Sequence, residues 1–346
     1  MWNCSDFMKV ITFGEIMLRL SPEGYKRFIQ SDKFNVTYGG SEANVAISLS
    51  NYGIPVEFVT KVPNNEIGQS AINILRSYNV GTRHIIKEGE RLGIYYLEKG
   101  ASQRPSKVIY DRKNSAISKS NINEFDWDEI FNGANCFHIS GITPALSKNL
   151  ANISIAACKK AKEQGLLVSC DLNYRNKLWA RKEANRVMSE IMKYVDVCVA
   201  NEEDIEKVFN IKAENTDVEK GKLNIESYES VAKQIYEKFD CQIVACTLRT
   251  SLSANDNKWM SLAYDGEKTL QSKEYNIHIV DRVGAGDSFS AGLIYGLLNK
   301  MSLEETLEFA TAASCLKHSI EGDFNIVTVD EVNNLVEGNA SGRVQR

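Results

Sequence analysis

One segment constrains the fold of this chain more than any other: Asp281-Arg-Val-Gly-Ala-Gly-Asp-Ser-Phe-Ser-Ala-Gly292. An apolar run precedes it at residues 277–280, and a longer apolar run follows at residues 289–298. This order predicts a strand, a tight glycine turn and the start of a helix. The first N–H groups of a helix have no partners within it, and its start carries a partial positive charge. Because Gly284 and Gly286 let the backbone approach a ligand closely, the segment predicts a binding site for phosphate.

Asp287 lies inside this turn and indicates what such a site does. A carboxylate beside a phosphate is unfavourable unless it accepts a proton from the group that attacks the phosphate. The turn therefore predicts phosphoryl transfer to an alcohol, although Asp287 as an ordinary first-turn acid of a helix is equally compatible with the residues alone. A dinucleotide fingerprint is excluded because Phe289 stands where its third glycine belongs, and no Gly-Lys-Ser/Thr triplet of a P-loop occurs.

Composition excludes other classes of function. The 346 residues carry 41 Lys and Arg against 45 Asp and Glu, a net charge of −4, with no basic block. We therefore expect neither nucleic acid nor a membrane as a partner. No apolar run reaches the ~18 residues of a membrane span. The eight cysteines contain no Cys-x-x-Cys pair, which is typical of small buried residues in a reducing compartment, and we expect a cytoplasmic protein.

The segment 281–292 resembles the carboxy-terminal signature of the ribokinase-like (PfkB) carbohydrate kinases, and the resemblance extends over about residues 9–337. It implies an α/β fold, a ribokinase-like doubly wound α/β/α sandwich with a small β-sheet lid. It also implies that Asp287 is the catalytic base, that Gly284, Ala285 and Gly286 form the anion hole, and that ATP and Mg²⁺ are required. Family members often pair through the lid, so the resemblance implies a homodimer.

The order of predicted elements locates the lid. The alternation of strands and helices breaks at residues 19–36, and again where strands at 93–98 and 107–111 follow each other without a helix. We predict a single kinase domain at residues 8–338, with a lid formed by about 16–38 and 91–117 and terminal tails at 1–7 and 339–346. A lid would keep water from the transferred phosphoryl group.

Four further segments narrow the resemblance within the family. They are Gly39-Gly-Ser-Glu-Ala-Asn44, Tyr110-Asp-Arg112, Ser140-Gly-Ile-Thr-Pro-Ala-Leu-Ser147 and Asp171-Leu-Asn-Tyr-Arg175. Together they resemble 2-keto-3-deoxygluconate (KDG) kinases, which implies phosphorylation of KDG at its 6-hydroxyl. Substrate-binding positions of that family match Gly40, Asn44, Tyr95, Tyr110, Arg112, Ile142, Arg175 and Asp323.

The residues themselves leave alternatives open for this sugar site. The amide of Gly40 and the side chain of Asn44 could pair with sugar hydroxyls, or could simply begin a helix. Tyr95 and Tyr110 are also typical of strand packing, and Arg112 of a solvated surface charge. A guanidinium matches a carboxylate with two parallel hydrogen bonds, and a neutral sugar needs no such cation. A fructokinase- or ribokinase-type neutral-sugar kinase is the alternative.

The predicted nucleotide site follows the strands that end near residues 171 and 200. Asn173 and Arg175 stand at the carboxyl end of a predicted strand, where parallel sheets bind ligands, and the resemblance implies that they reach the nucleotide phosphates. Residues 201–204 match an Asn-x-x-acid motif that implies a role for Asn201 in nucleotide binding and, through water, for Asp204 near Mg²⁺. Asp204 is shorter than the usual Glu, and an acidic helix start explains it equally well.

The chain departs from the family at residues 247–253, which we predict to be a loop without the family's glycines. Arg249 or Ser251 could contact the nucleotide there instead, and the small face of the last long helix, at Ala313, could admit the adenine ring. This departure keeps open a non-catalytic sensor of sugar acids on the same scaffold, against which the intact Gly-Ala-Gly-Asp turn argues.

Overall fold

The structure is a computed structural model that describes residues 8–212 and 225–339. The predicted tails at 1–7 and, except for residue 339, at 339–346 lie outside the described residues. The described chain forms these strands: β1 (Val10–Phe13), β2 (Met17–Ser21), β3 (Asn35–Gly39), β4 (Val56–Val62), β5 (Ile85–Lys87), β6 (Gly93–Glu98), β7 (Lys107–Asp111), β8 (Cys136–Ser140), β9 (Leu167–Asp171), β10 (Val197–Ala200), β11 (Ile243–Ser251), β12 (Asp256–Tyr264), β13 (Thr269–Gln271) and β14 (Tyr275–His278).

The helices alternate with the strands of the main sheet. They are α1 (Ser41–Asn51), α2 (Glu66–Ser77), α3 (Trp127–Phe131), α4 (Ile142–Ala145), α5 (Lys148–Glu163), α6 (Arg181–Met192), α7 (Glu202–Phe209), α8 (Ile225–Phe239), α9 (Ala285–Leu298), α10 (Leu303–Lys317) and α11 (Val329–Val336).

The main sheet has the order β13-β12-β11-β10-β9-β8-β1-β4-β5, with β14 paired to β12. The strands from β5 to β11 along this order are parallel, and β12 to β14 add an antiparallel edge. Successive residues of a strand point to opposite faces. Accordingly Val10 packs with α1, α2 and α10 on one face, whereas Ile11 and Phe13 pack with α3, α5 and α6 on the other. The predicted doubly wound α/β/α sandwich is confirmed.

Four strands form a separate small sheet in the order β3-β2-β6-β7, which we call the lid. β2 runs parallel to β6 and antiparallel to β3, and β6 pairs antiparallel with β7. Buried contacts tie the lid to the main body: Arg19 on β2 forms ion pairs with Asp281 and Asp323, and its side chain is 2% exposed. The lid therefore stands against the glycine turn that precedes α9.

One detail of the sequence interpretation was wrong. Residues 247–251 continue β11 and pair with β12, with Arg249 opposite Trp259 and Ser251 opposite Asn257, so that only the end of the predicted loop at 247–253 is a turn. The strand satisfies its backbone groups by this pairing and needs no glycine. The segment 19–36, predicted to belong to the lid, contains the end of β2 and the start of β3, which pair with each other in the lid sheet.

Within residues 8–212 and 225–339, no helix is long and apolar enough to span a membrane.

Candidate active site

A cavity of about 360 Å³ lies between the lid and the carboxyl ends of the parallel strands. It brings together most of the residues that the sequence predicted for the site. Those that line it are Gly40, Asn44, Tyr95, Tyr110, Arg112, Ile142, Asn173, Arg175, Asn201, Asp204, Arg249, Gly284, Ala285, Gly286, Asp287 and Asp323. These residues span nearly the whole chain, so the fold rather than any local motif assembles the site.

The glycine turn has the geometry of an anion-binding site. Gly284 is the N-cap of α9 and has a φ of 84°, in the left-handed region that favours glycine. A Cβ at Gly284 would lie 2.0 Å from the carbonyl oxygen of Asp323, whereas a Cβ at Gly286 would meet nothing within 4 Å. Gly284 is therefore required by the fold. Gly286 leaves open space at the helix start, where the first N–H groups are available to a ligand.

Asp287 is held in place by two hydrogen bonds from α1. The hydroxyl of Ser41 donates to Oδ1 and the Nδ2 of Asn44 donates to Oδ2, each at 2.6 Å. Burial raises the pKa of Asp287, while the bonds from Ser41 and Asn44 oppose that shift. The carboxylate is thus oriented towards the cavity and is a stronger base than an exposed aspartate.

Asn44 lines the cavity and also contacts Asp287. Its Nδ2 donates to Asp287, and its Oδ1 accepts a weak bond from the Gly40 amide at 3.3 Å; contact with sugar hydroxyls remains a prediction. Asn44 therefore orients the candidate base. Ser41, which shares this role, was missed although it lies within the same Gly-Gly-Ser-Glu-Ala-Asn segment.

A buried carboxylate fixes the start of α1 beneath the cavity. Oε1 of Glu42 accepts hydrogen bonds from the backbone and hydroxyl of Ser140 and from the hydroxyl of Thr143, at 2.7–2.9 Å. Burial raises the pKa of Glu42 to about 7 despite these bonds. The contacts join α1 to the end of β8, so the residues that hold Asp287 stand on a rigid base.

Three carboxylates face the cavity close to one another. Burial raises the pKa of Asp171 well above its usual value, and the nearby charges of Asp204 and Asp287 raise it further. The Oδ1 of Asp204 accepts from the Tyr174 amide at 3.1 Å, and its Oδ2 accepts from Asn201 at 2.9 Å. Among the described residues, no group of three or more His, Cys, Asp or Glu side chains is arranged to hold a metal directly. This crowding of negative charge fits a cation that is held through water and phosphate oxygens.

Three arginines that line the cavity, Arg175, Arg249 and Arg282, form no ion pair with a carboxylate in the part of the chain that the structure describes. Arg175 donates only to the Tyr174 carbonyl at 3.0 Å, and Arg282 to the Ala254 carbonyl at 2.8 Å. Burial and the neighbouring charge of Arg249 lower the pKa of Arg282. Like charges this close favour an anion between them. Arg282 was missed, although it directly follows Asp281 in the signature segment.

The cations of the lid, by contrast, are already paired. Both Nε and Nη2 of Arg112 donate to Oε2 of Glu15, the first at 2.8 Å, and Arg112 is 8% exposed. Its Cζ also lies 5.4 Å from the ring centre of Tyr110. Arg112 is therefore not a solvated surface charge, and its partner Glu15 was missed because the two residues are far apart in sequence.

Asp323 is likewise engaged by protein groups. Its Oδ1 accepts from Arg19 at 2.6 Å and its Oδ2 accepts from the Tyr95 hydroxyl at 2.5 Å. Arg19 also donates to Asp281. Tyr95 and Asp323 line the cavity as predicted, but within a buried network whose central cation, Arg19, the sequence interpretation missed.

Two predicted residues lie away from the cavity. Ala313 is fully buried in the core on α10, where it packs with residues of α1 and α9. Ser251 stands at the far end of the β11–β12 hairpin. From the same elements, Thr247, Asn257, Trp259 and His318 line the cavity instead. Ala313 is used in tight helix packing and Ser251 in strand pairing, and their contact with a nucleotide remains a prediction.

A second cavity of about 970 Å³ adjoins the first and shares Tyr110, Arg112 and Arg175 with it. Its remaining charged lining consists of Lys113, Lys119 and Lys177, with no aspartate or glutamate among the lining residues. A cleft of one sign of charge raises the local concentration of oppositely charged solutes. The approach to the site therefore favours anions.

This combination of a glycine turn, an adjacent oriented carboxylate and a cationic wall is typical of phosphoryl transfer. The family model of the pfkB carbohydrate kinases matches residues 8–325. The chain belongs to this family, and it is a phosphotransferase that acts on an alcohol group.

Three relatives show how the resemblance extends over the chain. A 2-dehydro-3-deoxygalactonokinase of Haloferax volcanii is 30% identical over 334 residues, which cover 96% of this chain and 98% of that protein. A 5-dehydro-2-deoxygluconokinase of Geobacillus kaustophilus is 27% identical and covers 99% of this chain and 96% of its own. The crystal structure of a 2-dehydro-3-deoxygluconokinase from Thermotoga maritima is 52% identical and superposes with a TM-score of 0.92, covering 96% of this chain and 100% of that one.

Proposed function

We propose that this protein transfers the γ-phosphoryl group of ATP to the 6-hydroxyl of 2-dehydro-3-deoxy-D-gluconate, the sugar acid also called KDG. The proposed reaction is supported by the position of Asp287. Ser41 and Asn44 hold its carboxylate by hydrogen bonds at the start of α9, directly after the Gly284 turn. The substrate is supported by the 52% identity to a 2-dehydro-3-deoxygluconokinase over almost the whole chain.

The proposed step needs one base and one set of donors. The oxygen of the sugar hydroxyl forms a bond to the γ-phosphorus, the bond to the bridging oxygen of ADP breaks, and the hydroxyl proton passes to Asp287. Backbone N–H groups at Gly284, Ala285 and Gly286 stabilise the charge that develops on the phosphoryl oxygens. Because burial raises the pKa of Asp287, its carboxylate accepts a proton more readily than an exposed aspartate would.

The nucleotide phosphates would bind where the cavity is lined by arginines that form no ion pair with a carboxylate of the described chain. We propose that Arg175, Arg249 and Arg282 contact the phosphates and that Asn173 and Asn201 complete the nucleotide site. Mg²⁺, when bound, would neutralise phosphate charge, and the carboxylates of Asp171 and Asp204 would hold it through its waters.

The carboxylate of the substrate would contact the cationic residues shared by the two cavities. Arg175 forms no ion pair with a carboxylate in the described chain, and both Arg175 and Arg112 line both cavities. Lys113, Lys119 and Lys177 extend this positive surface outward. A sugar acid is therefore attracted to the site before it is bound.

A neutral ketose is the second candidate substrate, and one contact favours it. The charge of Arg112 is already matched by Glu15, so the lid offers less net attraction to a carboxylate than the sequence alone indicates. Names of relatives also raise two other sugar acids, 2-dehydro-3-deoxygalactonate and 5-dehydro-2-deoxygluconate, as alternatives.

We also propose that two copies associate through the lid. Both edges of the lid, β3 and β7, pair with no further strand among residues 8–212 and 225–339, and they expose Val36, Ile109 and Tyr110 at 58%, 54% and 40%. Exposed apolar side chains on an open sheet edge favour pairing with another chain. Light scattering on the purified protein tests this: a monomer at all concentrations contradicts the dimer.

A coupled assay of ADP release tests the proposed substrate. Purified protein with Mg-ATP receives KDG, its galacto epimer, 5-dehydro-2-deoxygluconate, fructose or ribose. We expect the highest kcat/KM with KDG. Preferred turnover of fructose or ribose would contradict the sugar-acid proposal while keeping the reaction. No turnover, together with no ATP binding by calorimetry, would favour a sensor on the same scaffold.

A further inference from the structure

Lys317 is a buried cation that the proposed reaction does not use. It lies in the last turn of α10 and is fully buried, although lysine is rarely buried without an ionic partner. Its Nζ donates to the carbonyl of Ile320 at 3.1 Å, and it forms no ion pair with any carboxylate in the described part of the chain. Such a charge needs an explanation.

Lys317 packs against the back of the anion hole. A Cβ built on Gly284 would lie 3.4 Å from the Cε of Lys317, whereas Lys317 itself is absent from the lining of the cavity. One turn earlier on the same helix, the hydroxyl of Ser314 donates to the carbonyl of Ala285 at 2.8 Å. The end of α10 therefore supports the glycine turn directly. Only the backbone of that turn separates the positive charge of Lys317 from the proposed phosphate position.

Lys317 supplies the positive charge that the buried ion-pair network of Arg19, Asp281 and Asp323 lacks. Arg19 contributes one positive charge, and Asp281 and Asp323, with which it forms ion pairs, contribute two negative charges. Lys317 interacts electrostatically with all three and with Asp287. Burial lowers the pKa of Lys317 to about 8, which leaves the ammonium charged at neutral pH. Without Lys317, the network of Arg19, Asp281 and Asp323 would carry a net negative charge behind a site that must accept phosphate.

We propose that Lys317 is a positioning residue whose buried ammonium keeps the anion hole electropositive and thereby stabilises the transferred phosphoryl group. The proposal rests on the proposed phosphoryl transfer at the turn, and it adds a charge that acts from behind the backbone donors. In a site shielded from water, a charge one layer away acts more strongly than in bulk solvent.

Two substitutions remove the charge while nearly preserving the volume: Lys317→Gln keeps a hydrogen-bond donor for Ile320, and Lys317→Met does not. Both are expected to lower kcat with KDG by about 10- to 100-fold while KM for KDG changes little. Ammonium chloride is expected to restore part of the kcat, and tetramethylammonium chloride, whose cation is too large for the space, is not.

Lys61 provides the matched control. It is also a buried lysine, 4% exposed, but it pairs with Glu88 and Glu124 and lines neither cavity. Lys61→Gln is expected to leave kcat unchanged and to show no response to ammonium. Thermal unfolding of all variants separates loss of the fold from loss of the charge.

The outcomes are distinct. Wild-type kcat in a folded Lys317 variant contradicts the proposal, because a purely structural lysine would affect the melting temperature alone. If one variant does not fold, the other provides the test, and if neither folds, the proposed electrostatic role is rejected in favour of a structural one.

If the wild-type protein phosphorylates no sugar, the proposed function fails, and calorimetry with inorganic pyrophosphate then tests Lys317 separately. Equal pyrophosphate affinities of wild type and variant would overturn the proposal, and an affinity about tenfold weaker in the variant would support it.

Discussion

The two sides of the cavity differ in how their arginines are paired. On the lid side, Arg19 and Arg112 form ion pairs with carboxylates of the protein. On the side formed by the β11–β12 hairpin and the α9 turn, Arg249 and Arg282 form no ion pair with the residues that the structure describes. A buried charge without a counter-charge is unfavourable, so the lid cations are satisfied before any ligand arrives. Burial, and after it the neighbouring charge of Arg249, lowers the pKa of Arg282.

A cationic residue that lines a pocket can stabilise the fold or bind a ligand, and the presence or absence of an ion pair distinguishes these two roles. The lid uses ion pairs to fix its own position over the site. The hairpin side holds positive charge in readiness for an anion. Asp287 lies between the two sides, where the sugar hydroxyl and the phosphate would meet.

The largest effect is expected from Asp287→Asn, which removes the base between the two sides. We expect kcat to fall by about 10²- to 10⁴-fold, because proton transfer by a positioned group contributes this much. The coupled ADP assay measures it. Substantial activity in the variant would show that another group accepts the proton.

The raised pKa of Asp287 gives this substitution a second signature. In the wild type, kcat/KM is expected to fall as the pH falls through that pKa, because the base must be deprotonated. A raised pKa stabilises the folded protein below the unfolded-state pKa, and this contribution is lost as the pH rises through the folded-state value. Asp287→Asn is therefore expected to be more stable than the wild type at neutral pH. A lower melting temperature would contradict this.

The double substitution Arg249→Gln and Arg282→Gln tests the side without ion pairs. If these arginines contact phosphates, KM for Mg-ATP rises by about 10- to 100-fold, since hydrogen bonds between charged groups contribute roughly 1.5–3 kcal/mol. The stability of the protein is expected to remain or to increase because two like charges are removed. Arg83→Gln, at an exposed arginine that pairs with Glu129, is the control. An unchanged KM for Mg-ATP would contradict the proposed contact of Arg249 and Arg282 with the phosphates.

Arg19→Met tests the paired side. It leaves Asp281 and Asp323 buried without their cation, and the free energy of unfolding is expected to fall by about 3–5 kcal/mol. Urea denaturation measures this loss. At the exposed Arg83, the same change to Met is expected to alter stability by less than about 0.5 kcal/mol. Equal effects at the two sites would mean that the lid network does not stabilise the fold.

The smallest effect is expected from Glu15→Gln, which releases Arg112 from its ion pair. KM for KDG is expected to fall by about three- to tenfold, because an unpaired guanidinium attracts the substrate carboxylate more strongly. Values for fructose should not change. If KM for both sugars rises instead, Glu15 is needed to hold Arg112 in place.

The sequence was most informative where the chemistry is local. The strand, turn and helix around Gly284 and Asp287 are neighbours in the chain, so their order could be predicted from the spacing of glycines and apolar residues. The ion pairs of Arg19 join residues that are 262 and 304 positions apart, and no periodicity reports such contacts. The prediction for Ala313 shows a related limit, since small residues on a helix suit tight packing against another helix as well as contact with a ligand.

The hairpin shows the same limit. Residues 247–253 lack the glycines of the family, which led to the expectation of an altered loop. Cys246 and Leu248 are buried, whereas Thr247 and Arg249 are more exposed. This alternation is typical of a strand. That alternation was visible in the sequence, but only its pairing with β12 distinguishes a strand from a loop of the same composition.

The most direct test of the account follows the phosphate itself. ATP labelled at its γ-phosphate is incubated with KDG and either wild-type protein or Asp287→Asn, and the labelled product is identified by mass spectrometry and phosphorus NMR. The account predicts that the wild type places the label on the 6-hydroxyl of KDG and that the variant transfers almost none. Label on a different hydroxyl, release only as inorganic phosphate, or equal transfer by the variant would contradict it.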